Sequence, residues 1–380
     1  MIKFDLEKYL SDLEYLVNID SNASDKQGVE KIATFFKQKF SKDGWFIKEY
    51  YANLLLGPCV EISNTQDDQY DLLLLGHMDT VFEVGTAAQR PFKILGGRAY
   101  GPGVTDMKSG DLMGAYVIEG MANQQILAPL KVCLALNPEE EKGSKFVRKW
   151  LEDLARKSKY VIVLEHARGA NEHVQERKGL GRYTFKFQGI AAHAGNNPEL
   201  GRSAITEMAY WIGKLTDLTD LPEGFTINIG TVAGGEAANI VASEANMVVD
   251  LRLVRLEQEK KFNDCIIRLK EHAKAKEVKI EVSGGITRPP MFVTLKTEEF
   301  MTLVNSVSEN LAMPCKWCKA GGGSDGNFSA ALGIPTIDGF GPLGGSAHTD
   351  KEYLEVEAIE PAAKLLLEII KTLRQKLYNL

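Results

Sequence analysis

Histidines and carboxylates in this chain recur just after short apolar runs, where a strand gives way to a loop. His77 and Asp79, in GHMDT, follow the run in YDLLLLG. Residues two apart on an extended segment point the same way. Asp79 can therefore hold the His77 ring and fix the tautomer that a metal needs. Asp106 stands in GPGVTDMKSG, a tight loop containing Gly101, Pro102, Gly103 and Gly110. A carboxylate there also suits an ordinary helix N-terminus. Glu139, Glu140 and Glu141, in NPEEEKGS, follow LKVCLAL. Adjacent glutamates diverge, so one can bind a cation while its neighbour acts as general base. Their crowding raises a carboxyl pKa unless a cation relieves it. A solvated helix start would use the same three residues.

Glu165 closes the run in KYVIVLEH, and His166 beside it is given no role. His193 lies in GIAAHAG and His348 in GGSAHTDKEYL, both in glycine-containing turns. GGGSDGNF offers backbone N–H groups that can cradle an anion such as a substrate carboxylate. It lacks the Gly-Lys-Ser/Thr of a nucleotide loop. Each segment has a bland alternative as a polar turn. Together they place imidazoles and carboxylates at the loop ends of one domain, a donor mixture that suits zinc. The carboxylates exceed what one zinc needs, which points to two metals sharing a bridging Asp. There is no H-E-x-x-H and no G-x-S-x-G.

The elements that must position these residues follow from apolar periodicity. Two amphipathic helices separated by DSNASD open the chain. Buried runs at YDLLLLG, LKVCLAL and KYVIVLEH then alternate with helical stretches, the mark of a mostly parallel α/β sheet. From about residue 180 the pattern changes. RYTFKFQ, FTINIG and MVVDLRL alternate strictly. A helix with Ile205, Met208, Ala209, Ile212 and Leu215 on its apolar face follows the first strand, and a charged helix is expected over 257–276 before VKIEV. The order β-α-β-β-α-β predicts a ferredoxin-like unit at 180–288, inserted into an α/β domain of residues 1–179 and 289–380.

Composition narrows the classes. With 44% apolar and 25% charged residues the chain reads as an ordinary globular protein. Its net charge of −6 favours neither nucleic acid nor an anionic membrane. The N-terminal segment lacks the apolar core of a signal peptide, so a cytoplasmic location is expected. Five irregularly spaced cysteines form no disulfide framework. Cys315 and Cys318 make a C-x-x-C pair without two further zinc ligands, and read as packed thiols.

GHMDT, GPGVTDMKSG, NPEEEKGS, VLEHARGAN, GIAAHAG, GGGSDGNF and GGSAHTDKEYL, in that order, resemble the M20 family of metallopeptidases, nearest its glutamate carboxypeptidase (carboxypeptidase G2-like) branch. The resemblance implies a zinc-peptidase α/β domain interrupted by a ferredoxin-like dimerisation domain. It implies two Zn2+ per subunit, with Co2+ or Mn2+ as substitutes. By this matching His77 and Glu165 hold one zinc, Glu140 and His348 the other, and Asp106 bridges them. Asp79 orients His77, Glu139 is the general base, and Glu141 has no role. His193 resembles the histidine that reaches the site from the inserted domain, often across a dimer interface. Asn239, Arg288 and the loop with Gly322, Gly323 and Ser324 resemble the positions that hold the substrate's terminal carboxylate. The implied reaction is hydrolysis of the amide bond to a C-terminal amino acid, glutamate above all. N-acyl-amino-acid deacylation is the alternative on the same site.

Overall fold

Eight consecutive buried residues, Tyr70–His77, form the strand around which the larger unit is built. A computed structural model of the chain describes residues 4–271 and 277–379. Its largest sheet has six strands, in the order Phe46–Tyr50, Cys59–Ser63, Val132–Asn137, Tyr70–His77, Ser158–Val163 and Thr336–Ile337. The last four run parallel, and the first two are antiparallel to their neighbours. Parallel strands buried on both faces need continuous apolar runs, which is what LLLL and VCLAL supply.

Helices Leu6–Val17, Lys26–Lys39, Ser109–Asn123 and Ile359–Tyr378 contribute to one apolar core. The opening pair start at Asp5 and Asp25, whose carboxylates accept from the amides of Lys8 and Gly28 at 3.1 Å. A second core on the other face gathers Leu73, Leu75, Cys133, Val161, Val163 and helix Arg148–Arg156. A small sheet of Gly344–Gly345, Tyr353–Glu355, Arg98–Tyr100 and Lys93–Leu95 ties two distant glycine-rich segments together. Periodicity gave no sign of it, because its strands have only two or three residues.

The chain divides into two compact units. One comprises 1–176, 293–320 and 324–380, the other 177–292 with 321–323. The second unit holds a four-stranded antiparallel sheet in the order Thr226–Gly234, Glu244–Leu253, Gly179–Gln188 and Lys279–Arg288. Helices Ala204–Thr216 and Leu256–Glu271 complete the expected β-α-β-β-α-β order. Of the helix expected over 257–276, residues 272–276 lie outside the described residues. Tyr183, Phe185 and Phe187 share the buried face, as their alternation requires.

The buried face of helix Ala204–Thr216 differs from expectation. It presents Ala204, Glu207, Met208, Trp211 and Leu215, whereas Ile205 is 39% exposed and Ala209 is exposed too. Trp211 explains the rotation. Its ring fills the core against Phe185 and Phe187, and its indole N–H donates to Glu207 at 2.9 Å, so a carboxylate is buried with a partner.

Candidate metal centre

Strand register assembles the site. His77 pairs with Asn137, so the Glu139–Glu141 loop leaves the sheet beside His77. Leu75 pairs with Val163, which brings Glu165 to the same carboxyl edge, where open α/β sheets bind ligands. The Asp106 loop packs in because Gly110 has no side chain: a Cβ there would meet the Leu164 carbonyl oxygen at 1.9 Å.

Asp106 lies between two imidazoles. Its Oδ1 is 3.2 Å from His77 Nε2, and its Oδ2 is 3.2 Å from His348 Nε2. Glu165 Oε1 approaches His77 Nε2 at 3.6 Å. Glu141 Oε2 approaches His348 Nε2 at 3.2 Å. His348 adopts a left-handed backbone, φ +64°, uncommon for a non-glycine residue and frequent at functional sites. Donor atoms of His77, Asp106 and Glu141 fall within 4.8 Å of one another, as do those of Asp106, Glu165 and His166.

The electrostatics call for positive charge. Burial alone would raise the Asp106 carboxyl, yet hydrogen bonds with His348 and His77 hold it well below its usual range. Hydrogen bonds to Asp106 and Glu141 push the His348 imidazole up to about 11. Burial would lower His77, but Asp106, Asp79 and Glu165 raise it well above its ordinary value. Burial carries Glu141 up to about 7, against the hydrogen bond from His348. Glu141 Oε1 is buried without a hydrogen-bond partner among the described residues. Two imidazoles, three carboxylates and a buried acceptor lacking a donor fit divalent cations of the zinc type.

The geometry bears on several of the assignments that the resemblance implies. Glu141, left without a role, supplies the carboxylate beside His348 and Asp106 that had been assigned to Glu140. Glu139, expected as the base, is 3% exposed and turns its Oε2 to the Phe146 amide at 2.9 Å, where it braces its own turn. Ser324, expected against substrate, is fully buried, and its hydroxyl donates to Asp338 while accepting from the Gly326 amide. His166, given no role, closes the second donor cluster, and its adjacency to Glu165 was the available signal.

Asp79 reaches both the His77 ring and the glutamate turn. His77 Nδ1 is 3.0 Å from the Asp79 main-chain oxygen and 3.5 Å from its Oδ1. The Asp79 carboxylate accepts the amides of Glu140 and Glu141, both at 3.0 Å. Other braces had no visible signal. Asn137 and Ser144 both donate to Asp325, fixing the glutamate turn from within GGGSDGNF. The opening DSNASD break turns out to be structural. Asp20 accepts the Gly85 and Ala87 amides at 2.7 and 2.8 Å, and Asn22 donates to the Val81 and Phe82 carbonyls.

The remaining expected residues belong to the inserted unit. His193 is exposed, and its Nδ1 accepts the amides of Gly195 and Asn196 at 3.1 Å, which leaves Nε2 as the protonated donor. Asn239 lies beside it, its carbonyl accepting the Ala194 amide at 2.9 Å. Arg288 sits at the other end of the sheet, paired with Leu180, whereas His193 follows Gln188. Eight residues of strand, about 26 Å, separate Leu180 from Gln188. Gly322 and Gly323 accompany Arg288's end, where Arg177 donates to the Gly322 carbonyl at 3.3 Å. Cys315 and Cys318 are half-buried cysteines outside any disulfide.

A model of peptidase family M20/M25/M40 matches residues 73–372. The chain belongs to that family. Carboxypeptidase G2 of Pseudomonas sp. is 27% identical over 373 residues, spanning 94% of this chain and 88% of that protein. Among solved structures, aminopeptidase PepT of Bacillus cereus matches with a TM-score of 0.81 at 23% identity, covering 97% of this chain and 99% of that one. An M20 family metallo-carboxypeptidase from Sulfolobus solfataricus matches with a TM-score of 0.74 at 18% identity, covering 97% and 99%. This M20 peptidase is therefore a hydrolase of the metallopeptidase type, with the mixed α/β fold of its relatives. No helix among its described residues is long and apolar enough to cross a membrane.

Proposed function

We propose that this M20 peptidase is a two-cation carboxypeptidase that releases a C-terminal glutamate. The observation that carries the reading is the Asp106 carboxylate, each oxygen 3.2 Å from a different imidazole. His77 and Glu165 would hold one cation, His348 and Glu141 the other, with Asp106 shared. What zinc or a similar cation supplies there when bound is polarisation of the scissile carbonyl and a water acidified toward about neutral pH. Glu140 is the general base: it takes a proton from the attacking water and returns it to the leaving amine. Its half-exposed position, with its amide pinned by Asp79, supports this, since Glu139 serves the turn and Glu141 the cluster.

Arginines support the preference for glutamate. Arg252 and Arg288 flank Leu180 in register, and Arg252 and Arg177 approach carbonyls of Gly321 and Gly322. Guanidinium groups gathered at one glycine segment suit a carboxylate-bearing residue, with Arg252 itself braced by Asp250 at 2.7 Å. The test is a panel of N-acyl-glutamates, dipeptides and tripeptides assayed on metal-loaded protein. Release of C-terminal glutamate from several acyl groups is expected. Release of the N-terminal residue from tripeptides, or of acetate from N-acetyl amino acids alone, would overturn the reading.

We also propose that the inserted unit pairs with a second copy and that His193 acts in the partner's site. Strand Thr226–Gly234 is a sheet edge, and Val232, Ile205 and Ile240 near it are 55%, 39% and 38% exposed. The sheet also separates His193 from Arg288, so one substrate is poorly placed to meet both from one chain. Mixing the inactive variants His193→Ala and Glu140→Gln should restore about a quarter of wild-type turnover, because half of random dimers are mixed and each carries one intact site. No recovery in a sample shown to be dimeric would place His193 in its own chain's site.

A further inference from the structure

Glu352 closes the segment that carries His348, four residues after it. Its carboxylate is 2% exposed and turned into the glycine-rich loop that ends at Asp106. Oε2 accepts the Gly103 amide at 3.0 Å, and Oε1 accepts the amides of Thr105 and Asp106 at 2.9 and 3.1 Å. Three backbone donors on one buried carboxylate are charge-assisted bonds, stronger than neutral ones. Gly103, with φ +74°, gives the loop its left-handed turn, and a Cβ there would meet Thr80 Cγ2 at 2.5 Å. Pairing of Tyr353 with Tyr100 holds the two segments alongside each other.

The other histidine repeats the arrangement. Asp79, two residues after His77, accepts the amides of Glu140 and Glu141. Each histidine is thus followed by a carboxylate that grips the backbone of a loop carrying an acidic residue of the cluster. His77's segment holds the Glu141 turn, and His348's segment holds the Asp106 loop.

We propose that Glu352 is a positioning residue that sets the Asp106 carboxylate between the two cation positions, so that the halves of the centre load together. The proposal rests on the two-cation reading above. Glu352→Gln is the informative variant. Its amide keeps the volume but offers one acceptor oxygen, and its NH2 faces a backbone N–H where the second oxygen stood. At least one buried donor then lacks its acceptor. Glu352→Asp keeps the charge and both acceptors at a shorter reach.

The experiment titrates chelator-stripped wild type, Glu352→Gln and Glu352→Asp with Co2+, following the visible spectrum, and measures amide exchange at Gly103, Thr105 and Asp106 without metal. Glu352→Gln is expected to bind cobalt about 10–100-fold more weakly, as loss of a ligand-orienting partner typically does. Its spectrum should change and the three amides should exchange faster while distant amides do not. Glu352→Asp should recover part of the affinity. Wild-type affinity and spectrum in Glu352→Gln would overturn the proposal, as would protection lost uniformly across the unit with cobalt affinity intact. If wild type itself binds no cobalt, the two-cation reading fails instead.

Discussion

Asp106→Ala should abolish turnover, by about 10³-fold or more, and leave the protein unable to hold two cations. Asp106 faces both imidazoles, so its removal takes a donor from each position at once. A Lewis-acid contribution of several kcal/mol then disappears, and each 1.36 kcal/mol is a factor of ten. The substitution also leaves His77 and His348 without the carboxylate that raises their pKa values. Both imidazoles should therefore titrate lower than in the metal-free wild type, an outcome readable by NMR. The fold should survive, because the Asp106 amide still reaches Glu352 and the Gly110 packing is untouched. Circular dichroism unchanged beside lost metal and activity is the expected combination.

Glu140→Gln should keep two cations and lose about 10²–10⁴ in kcat, the usual worth of a general base. Glu139→Gln should do nearly the reverse. Its carboxylate accepts the Phe146 amide at the start of the turn, so the variant should keep turnover within a few-fold and lose about 1–3 kcal/mol of stability. The pair is decisive because the roles that the resemblance implies and those proposed from the geometry differ by one residue. Inactive Glu139→Gln with active Glu140→Gln would restore the original order. Glu141→Gln separates the third member: it should lose metal, since Glu141 meets His348 and Asp106.

Much of the fold was legible because its determinants are local. Short unbroken apolar runs such as LLLL, bounded by polar residues and alternating with helical stretches, point to buried strands of a parallel sheet, and the shift to strict alternation at Tyr183, Phe185 and Phe187 marks the inserted sheet. Glycine-rich loops ahead of His348 and around Asp106 were visible for the same reason. What stayed hidden depends on contacts distant in sequence. Nothing in DSNASD shows that Asp20 and Asn22 brace the loop after GHMDT, 60 or so residues on. Nor does GGGSDGNF show that Asp325, rather than its glycines, reaches Asn137 and Ser144.

The glutamate triplet is the sharpest case. Residue type placed a base and a ligand there, but which carboxylate faces which way depends on a turn whose geometry is set by Asp79 and Phe146. Asp111 is another. It reads as a polar residue early in a helix, yet it is fully buried with neither oxygen partnered among the described residues, and burial raises its carboxyl well above the usual range.

The account stands or falls on the shared carboxylate, and the direct measurement is the number of cations bound by wild type and by Asp106→Ala, each stripped with chelator and reloaded with zinc under identical conditions. Two equivalents on wild type and fewer than one on the variant are expected, with glutamate release restored in the wild type alone. Two equivalents retained by Asp106→Ala, or a wild type that turns over substrate undiminished after complete removal of metal, would contradict it.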